Sequence, residues 1–193
     1  MRTASIERKT KETDIKLQLN LDGGEVLITT GIGFFDHMLT AFAVHSNIGL
    51  VIEAIGDTYI DCHHTIEDVG IVLGKAFDKA LANKGNIERY GNFSIPMDEA
   101  LTTANIDISG RPFLVFNAEF PQQTSANFDY CMVEEFFRAF AYNSKITMHI
   151  NMAYGKNSHH IAESIFKAVA HSMKQAVKIS NTNIPLSTKG SID

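Results

Sequence analysis

The chain has 193 residues, 45% of them hydrophobic, and a formal net charge of −5, which suits one globular domain or two small packed halves whose core needs no disulfide or zinc staple. A pI near 5.9 with no basic run argues against a nucleic-acid binder, so any anionic ligand would have to be held by a local basic pocket. No apolar run is long enough to span a bilayer, the polar start MRTASIERKTKETDIKL lacks the apolar core of a secretion signal, and Cys62 and Cys131 form no CxxC pair; a reducing, cytoplasmic setting is predicted.

In chain order, residues 3–9 and 13–20 alternate as strands, with Ile15, Leu17 and Leu19 on one face and Lys16, Gln18 and Asn20 on the other. Asp22-Gly23-Gly24 reads as a hairpin turn into a third strand over 26–30. Residues 34–46 have helical apolar spacing, 48–54 form a fourth strand, and a helix runs from His63 to about residue 82. After the polar break Asn83-Lys84-Gly85-Asn86 the pattern starts again. Strands are predicted over 90–96, 101–108 and 113–119, a helix over 128–142, a strand over 146–152, and a last helix over 158–179 with Ser158 as its N-cap. The two halves match element by element. The predicted fold is therefore α+β and internally duplicated: half-domains of the order β-β-β-α-β-α, each a mostly antiparallel four-stranded sheet with two helices, spanning 1–85 and 86–180, with a polar tail over 181–193 that is mobile until something binds it.

The motif that carries chemistry occurs once in each half. His63-His64-Thr65-Ile66-Glu67 and His159-His160-Ile161-Ala162-Glu163 each open a helix, and the same number of residues separates His63 from His159 as Glu67 from Glu163. On a helix the glutamate lies three and four residues beyond the two histidines, on nearly the same face, so each copy is a preformed cluster of nitrogen and oxygen ligands. Adjacent histidines point in different directions, so two doublets suggest two metals. A lone copy would fit helix-capping or core histidines equally well; duplication in register favours metal binding. Imidazole with carboxylate and no thiolate suits manganese, iron, zinc or nickel, and the mixed N and O set leans towards an octahedral ion. Cys62 precedes the first doublet but Ser158 the second, so Cys62 reads as a small, partly buried residue. His37, in Asp36-His37-Met38-Leu39, adds a histidine to the first helix, and Glu134 or Glu135 is its positional counterpart in the second half. Arg89, Arg111, Lys167 and Ser187-Thr188-Lys189-Gly190 flank the breaks and supply the donors that a phosphomonoester needs. Taken singly, each would pass for a solvated surface residue.

These blocks, with Arg8 to Thr13, Gly31 to Leu39, Pro96-Met97-Asp98-Glu99-Ala100-Leu101 and Ser109-Gly110-Arg111-Pro112, resemble the imidazoleglycerol-phosphate dehydratase family over essentially the whole chain. The resemblance implies a hydro-lyase of histidine biosynthesis that takes water from imidazole glycerol phosphate to give imidazole acetol phosphate. It implies two Mn2+ per active site, ligated by His37, His63, His64, Glu67, His159, His160 and Glu163. An eighth ligand position, histidine in many members, reads Glu135 here. It implies a homo-oligomer of twenty-four subunits with active sites between subunits, and it places Glu12, His45, Arg89, Arg111, Lys167, Ser187, Thr188 and Lys189 around the substrate, with no nucleic-acid or membrane partner. Glu12, a carboxylate outside the metal set, is the candidate base for a proton whose carbon has no neighbouring carbonyl; binding of the substrate ring as imidazolate would let it expel the C3 hydroxyl. His149 and His171 match no family site and read as solvent-facing. Two other readings remain at this point, a dinuclear metallohydrolase and a metal-storage shell, and the second gives the phosphate-type residues no purpose.

Overall fold

The computed structural model describes residues 2–82, 86–180, 186–188, 190 and 192. The first half is β1 (Thr3–Lys9), β2 (Thr13–Asn20), β3 (Val26–Thr29), α1 (Gly33–Ser46), β4 (Gly49–Gly56) and α2 (His63–Ala80). The second is β5 (Tyr90–Met97), β6 (Ala100–Asp107), β7 (Phe113–Asn117), the short pair β8 (Thr124–Ser125) and β9 (Phe128–Asp129), α3 (Met132–Ser144), β10 (Thr147–Tyr154) and α4 (Ser158–Ala176). The sheets have the matching orders β1-β2-β4-β3 and β5-β6-β10-β7, so the duplicated α+β organisation expected from the sequence is present.

Alternation explains the inner faces. Ile15, Leu17 and Leu19 are buried on β2, and Thr102, Ala104 and Ile106 are buried at the matching places on β6. Each half covers its inner face with its own two helices, and the halves join helix to helix, α1 on α4 and α2 on α3. Seven phenylalanines of the helices fill this layer, among them Phe35, Phe42, Phe77, Phe136 and Phe140. Phe42 and Phe140 occupy equivalent places, since Ser46 and Ser144, four residues on, each donate to the carbonyl of that phenylalanine. Their rings meet at 6.2 Å, which locates the pseudo-twofold relation between the halves.

Three sequence expectations change. Asp22-Gly23-Gly24 turns the chain but makes no hairpin: β4 lies between β2 and β3 and pairs with β3 in parallel. Parallel neighbours need a crossover, and α1 is that crossover, as α3 is between β7 and β10. The third helix begins at Met132 rather than 128, because Phe128–Asp129 pairs with Thr124–Ser125. Phe128 is buried against Phe34 at 4.7 Å, a tertiary contact that gives the segment its apolar residue. Finally, Asn157 rather than Ser158 caps α4, accepting from the His159 N–H, while Ser158 is fully buried and donates to and accepts from Gln122.

Candidate active site

Both doublets stand at helix N-termini with diverging rings: centroids are 6.3 Å apart at 63° for His63 and His64, and 6.2 Å apart at 79° for His159 and His160. In the second half the first histidine and the glutamate meet a residue from the first half. His37 Nε2 lies 3.7 Å, and His159 Nε2 3.4 Å, from Glu163 Oε2. Among the described residues this is the one group of three or more His, Cys, Asp or Glu whose ligand atoms all lie within 4.8 Å of one another. Neighbouring donors of an octahedral ion with bonds of about 2.1 Å stand about 3 Å apart, so two histidines and a carboxylate gathered this closely form a donor set that suits a transition-metal ion. The second oxygen of Glu163 takes Lys167 Nζ at 2.7 Å. Burial pushes the Glu163 carboxyl up, but the Lys167 ammonium and the two imidazoles outweigh it and hold the group below its usual range.

The first half is built differently. His63 Nε2 is 3.6 Å from Glu67 Oε2. Counting back from the matched ends of α1 and α3 places Glu135, one of the two positions that the sequence offered, where His37 stands. Its carboxylate is turned to Arg138 Nη1 at 2.8 Å, so the chain alone gathers His37, His159 and Glu163 and leaves Glu135 outside a cluster.

The second histidine of each doublet is held by a carboxylate that sequence reasoning gave no role. His64 Nδ1 donates to Asp57 at 3.0 Å, and His160 Nδ1 to Glu99 Oε2 at 2.7 Å. Those bonds raise both imidazoles above their usual range. Glu99, which also accepts from the N–H groups of Lys156 and Asn157, is held down at about 2, chiefly by His160. With Nδ1 committed as a donor, Nε2 of each ring is left as the donor atom for a metal. The cue to Glu99 was its place at a two-residue turn between strands; the cue to Asp57 was its place just after β4.

His45 also has an unforeseen partner. Its Nδ1 lies 3.2 Å from His171 Nε2, and His171 packs on Phe93 at 5.3 Å. Burial, then Lys167, pushes His45 down; burial, then Lys174, does the same to His171. His149, by contrast, is exposed as expected. The signal for His171 was periodicity: Glu163, Lys167 and His171 follow at four-residue steps on α4. His37 and His45 face that stripe from α1, so the two helices run side by side in the same direction.

The basic residues divide into two places. Lys167 stands with the metal-type cluster. Arg89 lies at the far end of β6, where it forms a forked bond with Asp107, 2.7 and 3.2 Å, and donates to the Leu186 carbonyl beside Ser187. Arg111 is close to it: Ile108 N–H donates to the Arg89 carbonyl, and Thr147 Oγ1, on the residue paired with Asp107, to that of Arg111. Thr188 is exposed, and Lys189 lies outside the described residues. Glu12 sits at the tip of the β1–β2 hairpin; its backbone N–H bonds Thr10 Oγ1, and among the described residues its carboxylate makes no hydrogen bond.

A family model described as Imidazoleglycerol-phosphate dehydratase matches residues 30–173. An imidazoleglycerol-phosphate dehydratase of Rhodopseudomonas palustris (strain BisB5) is 55% identical over 180 residues, 93% of this chain and 91% of its own. One from an Exiguobacterium species is 52% identical over the whole of both chains. The crystal structure of the Staphylococcus aureus dehydratase superposes with a TM-score of 0.85 at 40% identity, covering 92% of this chain and 99% of that one. The Pyrococcus furiosus structure, solved in complex with (S)-C348, also gives 0.85, at 36% identity. The chain belongs to the imidazoleglycerol-phosphate dehydratase family.

Proposed function

We propose that this chain is a hydro-lyase that converts imidazole glycerol phosphate to imidazole acetol phosphate in histidine biosynthesis, with two Mn2+ per active site. Family membership supports the reaction, and the observation that carries the metal reading is the cluster of His37, His159 and Glu163. That set would hold one ion; His63, His64, Glu67 and His160 are the further ligands, with Glu135 beside them. A bound manganese acts as Lewis acid and template for the substrate's imidazole ring.

The residues then divide the remaining work. Glu12 takes the proton from C2 as the C3–oxygen bond breaks; the departing hydroxide takes up one proton to leave as water, which balances the proton that Glu12 has accepted, and the enol that remains moves its hydroxyl proton to C3 and becomes the ketone. His45 stands near Lys167 and Glu163, where it would hold a substrate hydroxyl. Arg89, Arg111, Ser187, Thr188 and Lys189 orient the phosphate, and that remote binding energy fixes the reacting carbons.

One chain does not bring these parts together. Glu99, which holds His160, immediately precedes β6, whereas Arg89 binds Asp107 at its other end. Eight residues of strand at about 3.3 Å each separate the two by more than about 20 Å, far beyond the length of a five-membered ring on a phosphorylated three-carbon chain. A composite site between subunits of a cytoplasmic homo-oligomer, twenty-four in the full assembly, resolves the mismatch.

The test is the dehydratase assay joined to metal analysis of the same preparation. Turnover should disappear on chelation and return with Mn2+, at two ions per site. Full turnover by metal-free protein would overturn the reading.

A further inference from the structure

We propose that Asp57 is a positioning residue that holds His64 in order to leave Glu12 unbonded, a division of labour between two carboxylates that the second half of the chain performs with one. The proposal rests on the reading of Glu12 as base.

The duplication supplies the argument. Lys9 pairs with Asp14 and Thr10 N–H donates to the Thr13 carbonyl at 2.8 Å, so Lys11-Glu12 is the two-residue tip of the first hairpin. Met97 pairs with Ala100, so Asp98-Glu99 is the tip of the second. Glu12 and Glu99 are therefore equivalent. Glu99 reaches the second histidine of its doublet, His160; Glu12 does not bond His64, although its charge is close enough to raise that imidazole.

The reason lies one strand away. Gly56 and Gly155 correspond, because a side chain on either would run into the residue that follows its doublet, Thr65 or Ile161; the bulge between Met152 and Tyr154 accounts for the shift along the strand. The next residue is Asp57 in the first half and Lys156 in the second. A lysine cannot accept a proton from imidazole Nδ1, so the hairpin glutamate must. Where an aspartate is present it takes the histidine, at 3.0 Å. Its backbone N–H also donates to the Glu12 carbonyl at 3.1 Å, so Glu12 is the adjacent acceptor if the aspartate is removed.

Asp57→Ala, Asp57→Ser, Asp57→Asn, Glu12→Gln and the double variants Glu12→Ala with Asp57→Ala or Asp57→Ser, which leave no acceptor that reaches His64 at either position, separate the possibilities, with Mn2+ affinity measured by chelator competition on the full chain alongside kcat and KM. The serine variant keeps a polar side chain too short to reach His64 and covers failure of the alanine variant to fold. Truncation of Asp57 to Ala or Ser should lower kcat at least about 30-fold with KM nearly constant, while Mn2+ affinity stays within about threefold, because Glu12 moves onto His64. The double variants should lose about 10- to 100-fold in affinity, the loss expected when a ligating histidine has no outer partner. The Asp57→Asn variant retains an acceptor oxygen and should recover most of kcat. Truncation that weakens Mn2+ as much as the double variant, or that leaves kcat normal, overturns the proposal. Glu12→Gln with normal turnover removes the base assignment itself, a different result from an inactive Glu12→Gln beside a fully active Asp57 truncation.

Discussion

Glu99 is the carboxylate that His160 Nδ1 bonds; the other carboxylate beside this ring, Asp98, lies 3.7 Å from Nε2 instead. Glu99 Oε2 accepts from His160 and Glu99 Oε1 from two backbone N–H groups at the start of α4, and the neighbouring position that Asp57 fills in the first half is Lys156. Glu99→Ala alone should therefore weaken Mn2+ by about 10- to 100-fold, where truncation of Asp57 alone should not. Metal competition on the two single variants checks the contrast; equal losses would show that the halves are not specialised in this way. The ligand-type residues were legible in the sequence because His-His-x-x-Glu is a local pattern that a helix converts directly into a shared face. Asp57 and Glu99 were not, because each acts through a contact between strand ends and a helix, and no spacing in the chain announces which of two nearby carboxylates an imidazole will choose.

The pairing of α1 with α4 sets a second, charge-sensitive layer two helical steps beyond the cluster. His45 and His171 bond each other there, with Lys167, Lys174, Glu163 and the Phe93 ring around them. Both imidazoles are pushed below the value near 6.5 that they have when unfolded. As pH falls through 6.5 the unfolded chain takes up protons that the folded pair refuses, so stability drops, by at most about 1.4 kcal/mol per pH unit for each proton; above 6.5 the contribution is complete. His171→Phe should remove part of this slope: thermal midpoints at pH 7.5 and 5.5, at one protein concentration, should differ less for the variant than for the parent. An identical difference in both would mean that the pair is not neutral at the junction. Element types and the repeat were legible because apolar periods of two run through the central strands β2 and β6, and of about 3.6 residues through α2 and α4. Strand neighbours were not: the Asp22-Gly23-Gly24 turn looks the same whether the strands it joins pair with each other or admit β4 between them, and burial of Phe128 against Phe34 mimicked a helical apolar position.

Across the whole molecule, the metal-type cluster joins the halves, since His37 comes from the first and His159 and Glu163 from the second. Arg89 and Arg111 stand at the opposite end of the second sheet. Both facts tie ligand binding to long-range order rather than to one element. Ile55, Tyr59 and Ile60, shortly before the first doublet, are 69%, 88% and 59% exposed, apolar side chains of the kind that mark a protein contact, and they precede the His63–Glu67 pair, which has no third donor gathered with it among the described residues. If a neighbouring subunit completes that pair, Mn2+ stabilises the assembly as well as the fold, by about 2.7 kcal/mol per site at a free concentration of one hundred times its dissociation constant. Chelation should then reduce the particle size measured by light scattering, and Mn2+ should restore it. If every ligand came from one chain, chelation would lower the thermal midpoint and leave the size unchanged, and that outcome would rule out metal binding across the subunit boundary.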